Sequence, residues 1–366
     1  MKPILNFIKQ HPGIFSLLRL LVSLYLFFFS LELMGTSLKM FGSGLAESLI
    51  QTTTNPLVGL FIGILATSII QSSSSTTAIV VGLVAGGVLN VSNAIPIVMG
   101  ANIGTSVTNL LVSLAQINRR IEFQRSFSAA IVHDFFNVLA VIVLFPLQYF
   151  TNFLGRAASF LGEQFQHIGG LEFLSPVKAI TVPVVEIFKN LIGDYPWILL
   201  ALALVCLLLA LSQMVKSLKT LVVTKAEAWF DRYLFKTALR AFCVGLLLTA
   251  MVQSSSITTS LAVPLAGAGL LTIVQIFPYT LGANIGTTVT AFLAALVTGN
   301  LSAITVAFAH LLFNISGMIV WWPLKFVPIT LAQKFARIAT RKKIIPILYI
   351  LIVFFLIPIL LISLFR

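Results

Sequence analysis

One stretch of this chain is written twice. Gly-Ile-Leu-Ala-Thr-Ser-Ile-Ile-Gln-Ser-Ser-Ser-Ser-Thr-Thr at 63–77 returns as Gly-Leu-Leu-Leu-Thr-Ala-Met-Val-Gln-Ser-Ser-Ser-Ile-Thr-Thr at 245–259, 182 residues later. Gly-Ala-Asn-Ile-Gly-Thr-Ser-Val-Thr at 100–108 returns as Gly-Ala-Asn-Ile-Gly-Thr-Thr-Val-Thr at 282–290 in the same register, and Pro96 pairs with Pro278. A looser match, His-Asp-Phe-Phe-Asn at 133–137 against His-Leu-Leu-Phe-Asn at 310–314, shifts the offset to 177. Two near-identities in one register establish a tandem duplication, about 14–150 and 196–325. The fold must therefore be assembled from two like halves.

The medium those halves fold in follows from composition. Of 366 residues, 58% are hydrophobic and 9% charged, against about 45–50% and 25% in soluble domains. A mean hydropathy of +1.06 excludes a soluble globular protein, a disordered chain and a disulfide scaffold. The net charge of +13 would suggest nucleic acid in a soluble protein. Here the basic residues gather in short stretches between apolar segments, the positive-inside bias of a polytopic membrane protein, and no nucleic-acid partner is expected. Cys206 and Cys243 lie in apolar segments and read as buried small hydrophobes. The first apolar stretch, 14–34, is too long for the core of a cleaved signal peptide.

Loop charge sets the orientation. Lys2, Lys9 and Arg19 place the N-terminus (1–13) in the cytoplasm, and Arg119, Arg120 and Arg125 place 116–125 there too. Segment 151–195 has a weaker basic bias and is expected to be an external connecting loop. Six basic residues in 213–240 and six in 325–343 put both inside. Crossings at 14–34, 95–115 and 126–150 then leave 57–90 without a net crossing. Crossings at 197–212, 272–296 and 301–323 do the same for 241–268. Each arm beside Gln71 has about 14 apolar residues, roughly 21 Å of helix, short of the ~30 Å hydrocarbon core. The expected fold is an all-α polytopic membrane protein with two inverted-topology repeats (14–150 and 196–325). Each repeat carries a re-entrant, broken-helix hairpin, at about 57–90 and 241–268. A basic cytoplasmic linker (326–343) and a C-terminal transmembrane helix (344–366) follow. Inverted repeats with interrupted helices and a site at their interface are the architecture of secondary transporters.

The hairpin tips supply hydroxyls, an amide and freed backbone groups, and non-helical backbone at membrane depth occurs where it lines a cavity or is buried in protein. Neutral oxygens suit a small hard cation. Donors at the start of a half-helix suit an oxyanion. One motif can serve either, or both. In the Gly-Ala-Asn-Ile-Gly-Thr elements, Gly100, Gly104, Gly282 and Gly286 allow close approach or local unwinding, while Asn102, Thr105, Thr108, Asn284, Thr287 and Thr290 add oxygens. Small polar residues also simply pack membrane helices, but a run of serines repeated in register exceeds what packing asks. Asp134 is an intramembrane carboxylate, functional by default. Its counterpart is Leu311, so it is no part of a symmetric site, and Arg125 lies about two turns away, within reach of a pairing near the interface; structural and functional roles both stay open. His133 and His310 read as packing or hydrogen-bonding residues, Glu32 and Glu47 as interfacial, and Trp321-Trp322 as an aromatic belt. No catalytic triad order, metal-ligand spacing or phosphate-binding loop with Lys is present, so no enzymatic activity is expected.

The paired Gln-Ser-Ser-Ser hairpins, the paired Gly-Ala-Asn-Ile-Gly-Thr elements and His-Asp-Phe-Phe-Asn at 133–137 resemble the type II sodium/phosphate cotransporter family over most of 14–325. The resemblance implies sodium-driven import of inorganic phosphate by alternating access, in the plasma (inner) membrane of a compact bacterial-type member. It implies phosphate on Gln71, Ser72, Ser73, Ser74, Gln253, Ser254, Ser255 and Ser256. It implies Na⁺, the coupling ion, on Ser75, Asn102, Thr105, Thr108, Asn284, Thr287 and Thr290. Site chemistry alone leaves a carrier of another small oxyanion, or an anion channel, as alternatives. Two departures stand out. Segment 116–120 (Gln-Ile-Asn-Arg-Arg) lacks the aspartate of electrogenic members, and Ile257 replaces the serine found at Ser75.

Overall fold

A computed structural model describes residues 12–41, 51, 53–167, 175–193, 195–218 and 235–365. Among the described residues there are helices and no β-strand. In the first half these are α1 (Pro12–Met40), α2 (Pro56–Ile70), α3 (Ser73–Ala85), α4 (Val91–Gly104), α5 (Ser106–Leu114) and α6 (Arg120–Thr151). The second half repeats the order with α9 (Pro196–Leu218), α10 (Ala238–Val252), α11 (Ser255–Gly267), α12 (Ile273–Thr298) and α13 (Leu301–Trp321). Between the halves lie α7 (Phe153–His167) and α8 (Ser175–Ile192), so the connecting segment is largely helical. After α13 come α14 (Phe326–Ala339), α15 (Ile344–Leu351), a π-helical turn Ile352–Leu356 and α16 (Ile357–Phe365).

Among the described residues, seven segments are long and apolar enough to cross a membrane: Phe15–Leu38, Val91–Leu114, Arg120–Thr151, Pro196–Met214, Ile273–Thr298, Leu301–Trp321 and Ile344–Phe365. They fall where the seven expected crossings lie, and the chain is a multi-pass membrane protein. The remaining apolar helices, Pro56–Ile70, Ser73–Ala85 and Ala238–Val252, are shorter. At 1.5 Å per residue none exceeds about 23 Å, so none spans the hydrocarbon alone.

Local sequence explains where the helices start. Asn55 caps α2 by accepting from the Leu57 amide at 3.0 Å, with Pro56 at the first helical position. Asn90 caps α4, Asn300 caps α13, and Thr272 with Gln275 forms a capping box on α12. Each cap satisfies an amide that would otherwise be bare at a helix end.

Two pairs of helices pack with almost no side chain between them. A methyl group on Gly63 would collide with the Ile97 carbonyl, and one on Gly100 with the Leu60 carbonyl. In the second half Gly245 faces the Tyr279 carbonyl and Gly282 the Phe242 carbonyl. Every one of these partners is the 182-residue image of its counterpart. The glycines of the Gly-Ala-Asn-Ile-Gly elements thus serve close approach, α2 to α4 and α10 to α12, as small-xxx-small pairs do in membranes. Thr105 between α4 and α5 keeps right-handed helical angles (φ −57°, ψ −36°), and α12 runs unbroken, so neither element unwinds.

The halves are joined through α1 against α9 and α6 against α13. Where α6 meets α13, a methyl on Gly317 would stand 3.1 Å from the Ala140 Cβ. Gly317 is the 177-residue image of Ala140. Apolar burial forms two clusters. One surrounds α6, α11, α14 and the C-terminal helix, and the other surrounds α1, α3, α9 and the end of α12.

Several side chains sit elsewhere than the sequence suggests. Trp321 is 8% exposed, inside the protein and not on a belt, while Trp322 is half-buried and meets Phe242 edge-on. Both cysteines are free, but Cys243 is exposed and Cys206 only half-buried, because each lies on the outer face of its helix. Glu32 is half-buried. Glu47, Lys2 and Lys9 lie outside the described residues.

Candidate functional site

The two Gln-Ser junctions break their hairpins identically. Gln71 ends α2 in the left-handed region (φ 56°, ψ 30°), and Gln253 ends α10 at φ 57°, ψ 26°. Each donates its amide to a carbonyl one turn back, Thr67 or Thr249, at 2.7 Å. The next residue is extended, φ −151° at Ser72 and −152° at Ser254, and caps the following helix. Ser72 Oγ accepts from the Ser75 amide at 3.2 Å and Ser254 Oγ from the Ile257 amide at 3.3 Å. A non-glycine residue in this region costs about 1–3 kcal/mol and persists where the surroundings impose it, often at a working site.

Two half-helices, α3 and α11, therefore begin at the tips. Their first amides have no partner within the helix, and their dipoles present positive ends there. The tips touch: Ser74 Oγ donates to the Gln253 carbonyl at 3.1 Å. Ser73, Ser74, Ser75, Ser255 and Ser256 are buried, whereas Ser72 and Ser254 are half-buried.

The glutamine side chains differ. Gln253 is 6% exposed, donates to the Ala250 carbonyl at 2.5 Å and accepts from Thr290 Oγ1 at 2.6 Å. Gln71 is exposed, and Thr108, the image of Thr290, has a buried hydroxyl without a partner. Thr105 and Thr287 spend their hydroxyl protons on Ala101 and Ala283, both at 3.0 Å, which leaves oxygen lone pairs free. Asn102 donates to the Val98 carbonyl at 2.9 Å.

A chain of polar side chains runs behind the tips. Thr259 Oγ1 lies 3.0 Å from Asn109 Oδ1, whose amide nitrogen is 3.2 Å from His133 Nδ1. His133 Nε2 is 2.7 Å from Asn284 Oδ1, Asn284 donates to Asn137 Oδ1 at 2.7 Å, and Asn137 donates to the Asn102 carbonyl at 2.7 Å. These donors and acceptors are consistent with one histidine tautomer, proton on Nε2. Thus His133 is a hydrogen-bonding residue linking both halves. His310 instead has both ring nitrogens buried without a partner. Asn109 and Asn137 were not among the expected ligands. The sequence hints at them only by position: Asn109 directly follows the matched Thr108, and Asn137 ends the looser match at 133–137.

Asp134 is fully buried, and its partner is not Arg125. Ser106 Oγ lies 2.8 Å from one carboxylate oxygen and the Tyr349 hydroxyl donates to the other. Arg125 lines a separate cleft of about 420 Å³ with Gln124, Ser128, Thr272 and Arg337, which contains no tip residue. Among the described residues, no group of three His, Cys, Asp or Glu side chains could hold a metal. Oxygen donors at the tips are neutral, a set that suits hard cations better than soft ones.

Comparison with known proteins matches both halves. The Na⁺/Pi-cotransporter family model covers residues 26–173 and 206–325. Human "Sodium-dependent phosphate transport protein 2B" is 34% identical over 94% of this chain and 64% of its own length. The mouse "Sodium-dependent phosphate transport protein 2A" is 34% identical over 93% of this chain and 66% of its own length. The sheep 2A protein is 33% identical over 96% and 69%. The chain thus spans about two thirds of the length of these relatives. No solved structure matches it. With the family model laid over both copies of the duplication, the chain belongs to the Na⁺/Pi-cotransporter family, whose members are transporters and not enzymes.

Proposed function

We propose that this protein imports inorganic phosphate coupled to sodium, by alternating access, with both solutes held where the hairpin tips meet. The observation that carries the reading is the bond from Ser74 Oγ to the Gln253 carbonyl at 3.1 Å, which joins one tip to the other. It brings two helix N-termini and a set of buried hydroxyls to one place. That combination favours a tetrahedral oxyanion. The donors assigned to phosphate are Gln71, Ser72, Ser73, Ser74, Gln253, Ser254, Ser255 and Ser256.

Sodium is assigned to Ser75, Asn102, Thr105, Thr108, Asn284, Thr287 and Thr290. Thr108 fits this role because its hydroxyl is buried and unpartnered, and its oxygen is available to a cation. Thr105 and Thr287 fit because their protons are already committed. A cation beside the anion offsets part of the cost of removing both from water. The names of the relatives, sodium-dependent phosphate transport proteins, support this pair of solutes.

The two halves are proposed to lie in opposite senses across the plasma membrane, with the N-terminus in the cytoplasm. The meeting of Ala140 with its image Gly317 supports a two-fold relation, since only residues near such an axis face their own images. The test is radiolabelled phosphate uptake into proteoliposomes, with an inward sodium gradient against potassium replacement. Concentrative uptake in sodium alone is expected. Equal uptake in potassium would mean a channel or another coupling ion. Uptake of sulfate in place of phosphate would mean a different oxyanion carrier.

A further inference from the structure

The duplication makes each bond at the core testable against its image, and the images disagree. His133 Nε2 bonds Asn284 at 2.7 Å, but His310 and Asn102, the same residue types in the same places, make no such bond. Asn284 donates to Asn137 Oδ1 at 2.7 Å, but Asn314 Oδ1 is buried without a partner, and Asn102 turns to its own helix at Val98. Asn137 donates to the Asn102 carbonyl at 2.7 Å, while Asn314 donates to His310 within its own helix. Thr290 donates to Gln253 Oε1 at 2.6 Å, while Thr108 is unpartnered and Gln71 exposed. One pair runs the other way. Thr67 donates to Thr76 at 3.0 Å, and Thr249 Oγ1 has no partner.

The residues paired above are chemically identical, so their own chemistry does not explain these differences; among their neighbours Asn109 has Ala291 as its image, which accounts for the His310 Nδ1 alone. α4 packs against α13 as α12 packs against α6, but the tip helices pack unequally: α11 lies on α6 more extensively than α3 lies on α13, and α12 lies on α3 without a comparable contact of α4 on α11. Buried polar groups are almost always satisfied. A set of orphans whose images are all satisfied is what one member of a pair of exchanging conformations would show.

We propose that His133 and His310 are positioning residues for the transport cycle, each bridging the halves in one conformation only. In the present conformation His133 joins Asn284 and Asn137. In the other, His310 joins Asn102 and Asn314, Gln71 folds onto Thr108, and the first set opens. The His–Asn, Asn–Asn and Gln–Thr bonds exchange one for one, whereas the bond between Asn109 and His133 has no image at Ala291 and favours the present conformation. The proposal rests on the alternating-access reading above, and names the bonds that change.

The test uses the full chain with Cys206→Ser and Cys243→Ser, and a reporter cysteine at Val252 or at its image Ile70. Val252 is 2% exposed and Ile70 half-buried, so their alkylation rates with a water-soluble maleimide report which conformation dominates. His133→Leu should raise the Val252→Cys rate relative to Ile70→Cys by about fivefold or more, since it removes the bonds to both Asn284 and Asn109 and one neutral hydrogen bond is worth about that factor. His310→Leu, with only the bond to Asn102 at stake because Ala291 replaces Asn109, should lower the same ratio by about fivefold. Shifts in one direction for both variants, or none, would overturn the proposal. Should either variant fail to fold, Asn137→Leu and Asn314→Leu address the same exchange. No solute enters this measurement, so it stands apart from sodium-driven uptake by the unaltered protein, which tests the transport reading separately.

Discussion

The Tyr349 hydroxyl donates to the Asp134 carboxylate, and this bond fastens a helix outside the duplication to the core of the first half. Asp134 has no image in the second half, where Leu311 stands. The C-terminal helix therefore contacts the halves unequally, with α16 packing on α2. Tyr349→Phe removes one of two hydroxyl partners from a fully buried carboxyl group. Such a loss costs about 1–3 kcal/mol. The melting temperature of the detergent-solubilised protein should fall, and an unchanged value would show that the tie contributes nothing.

Ser73→Ala and Ser255→Ala each delete one hydroxyl from a tip while leaving its helix intact. Phosphate uptake should drop at least tenfold in both, with an unaltered size-exclusion profile. Wild-type uptake in both variants would rule out the tips as the binding place. Ser74→Ala additionally removes the contact between the tips, and its uptake should fall as well.

Gln253→Gly separates backbone from side chain. Glycine adopts the left-handed angles at position 253 without strain, so the break in the hairpin survives, while losing the buried side chain and its bond from Thr290 should cost about 1–3 kcal/mol. Normal folding with at least tenfold weaker uptake is the expected pairing. Retained uptake would assign the residue a purely conformational task.

Gly100→Ala forces a methyl group against the Leu60 carbonyl, and Gly282→Ala does the same at Phe242. Backbone cannot swing aside as a side chain can, so each should cost about 1–3 kcal/mol or more. Both variants should show poor yield of monodisperse protein. Gly35→Ala, where nothing lies within 4 Å, serves as the control and should be neutral or stabilising.

The parts of this molecule visible in the sequence are those that leave a local mark. The duplication, the seven crossings and the breaks at Gln71 and Gln253 all follow from repeats, apolar length and a polar run in an apolar segment. Contacts made over distance leave no such mark. Nothing near Tyr349 says that it meets Asp134, 215 positions away, and Arg125 looked the better partner because it was close in sequence. Trp321 lies inside and Cys243 outside for a related reason invisible in sequence: apolar character at membrane depth does not tell the protein side of a helix from the lipid side. The amphipathic α7, α8 and α14 read as loops because charge was counted there and periodicity was not. The disagreement between images was invisible in principle, since identical residues carry no record of which copy is bonded.

The close approach of Gly63 and Gly100 to opposing carbonyls, repeated at Gly245 and Gly282, has a mechanical consequence. Soft contacts absorb motion by letting side chains rotate, but here backbone rests on backbone and nothing is left to yield. Each pair, α2 with α4 and α10 with α12, behaves as a stiff lever. A tilt applied at one end arrives undiminished at the other, near Thr67 and Gly104 or near Thr249 and Gly286. On the transport reading proposed above, work done by an ion gradient would be delivered to the boundary between levers and not dissipated within them.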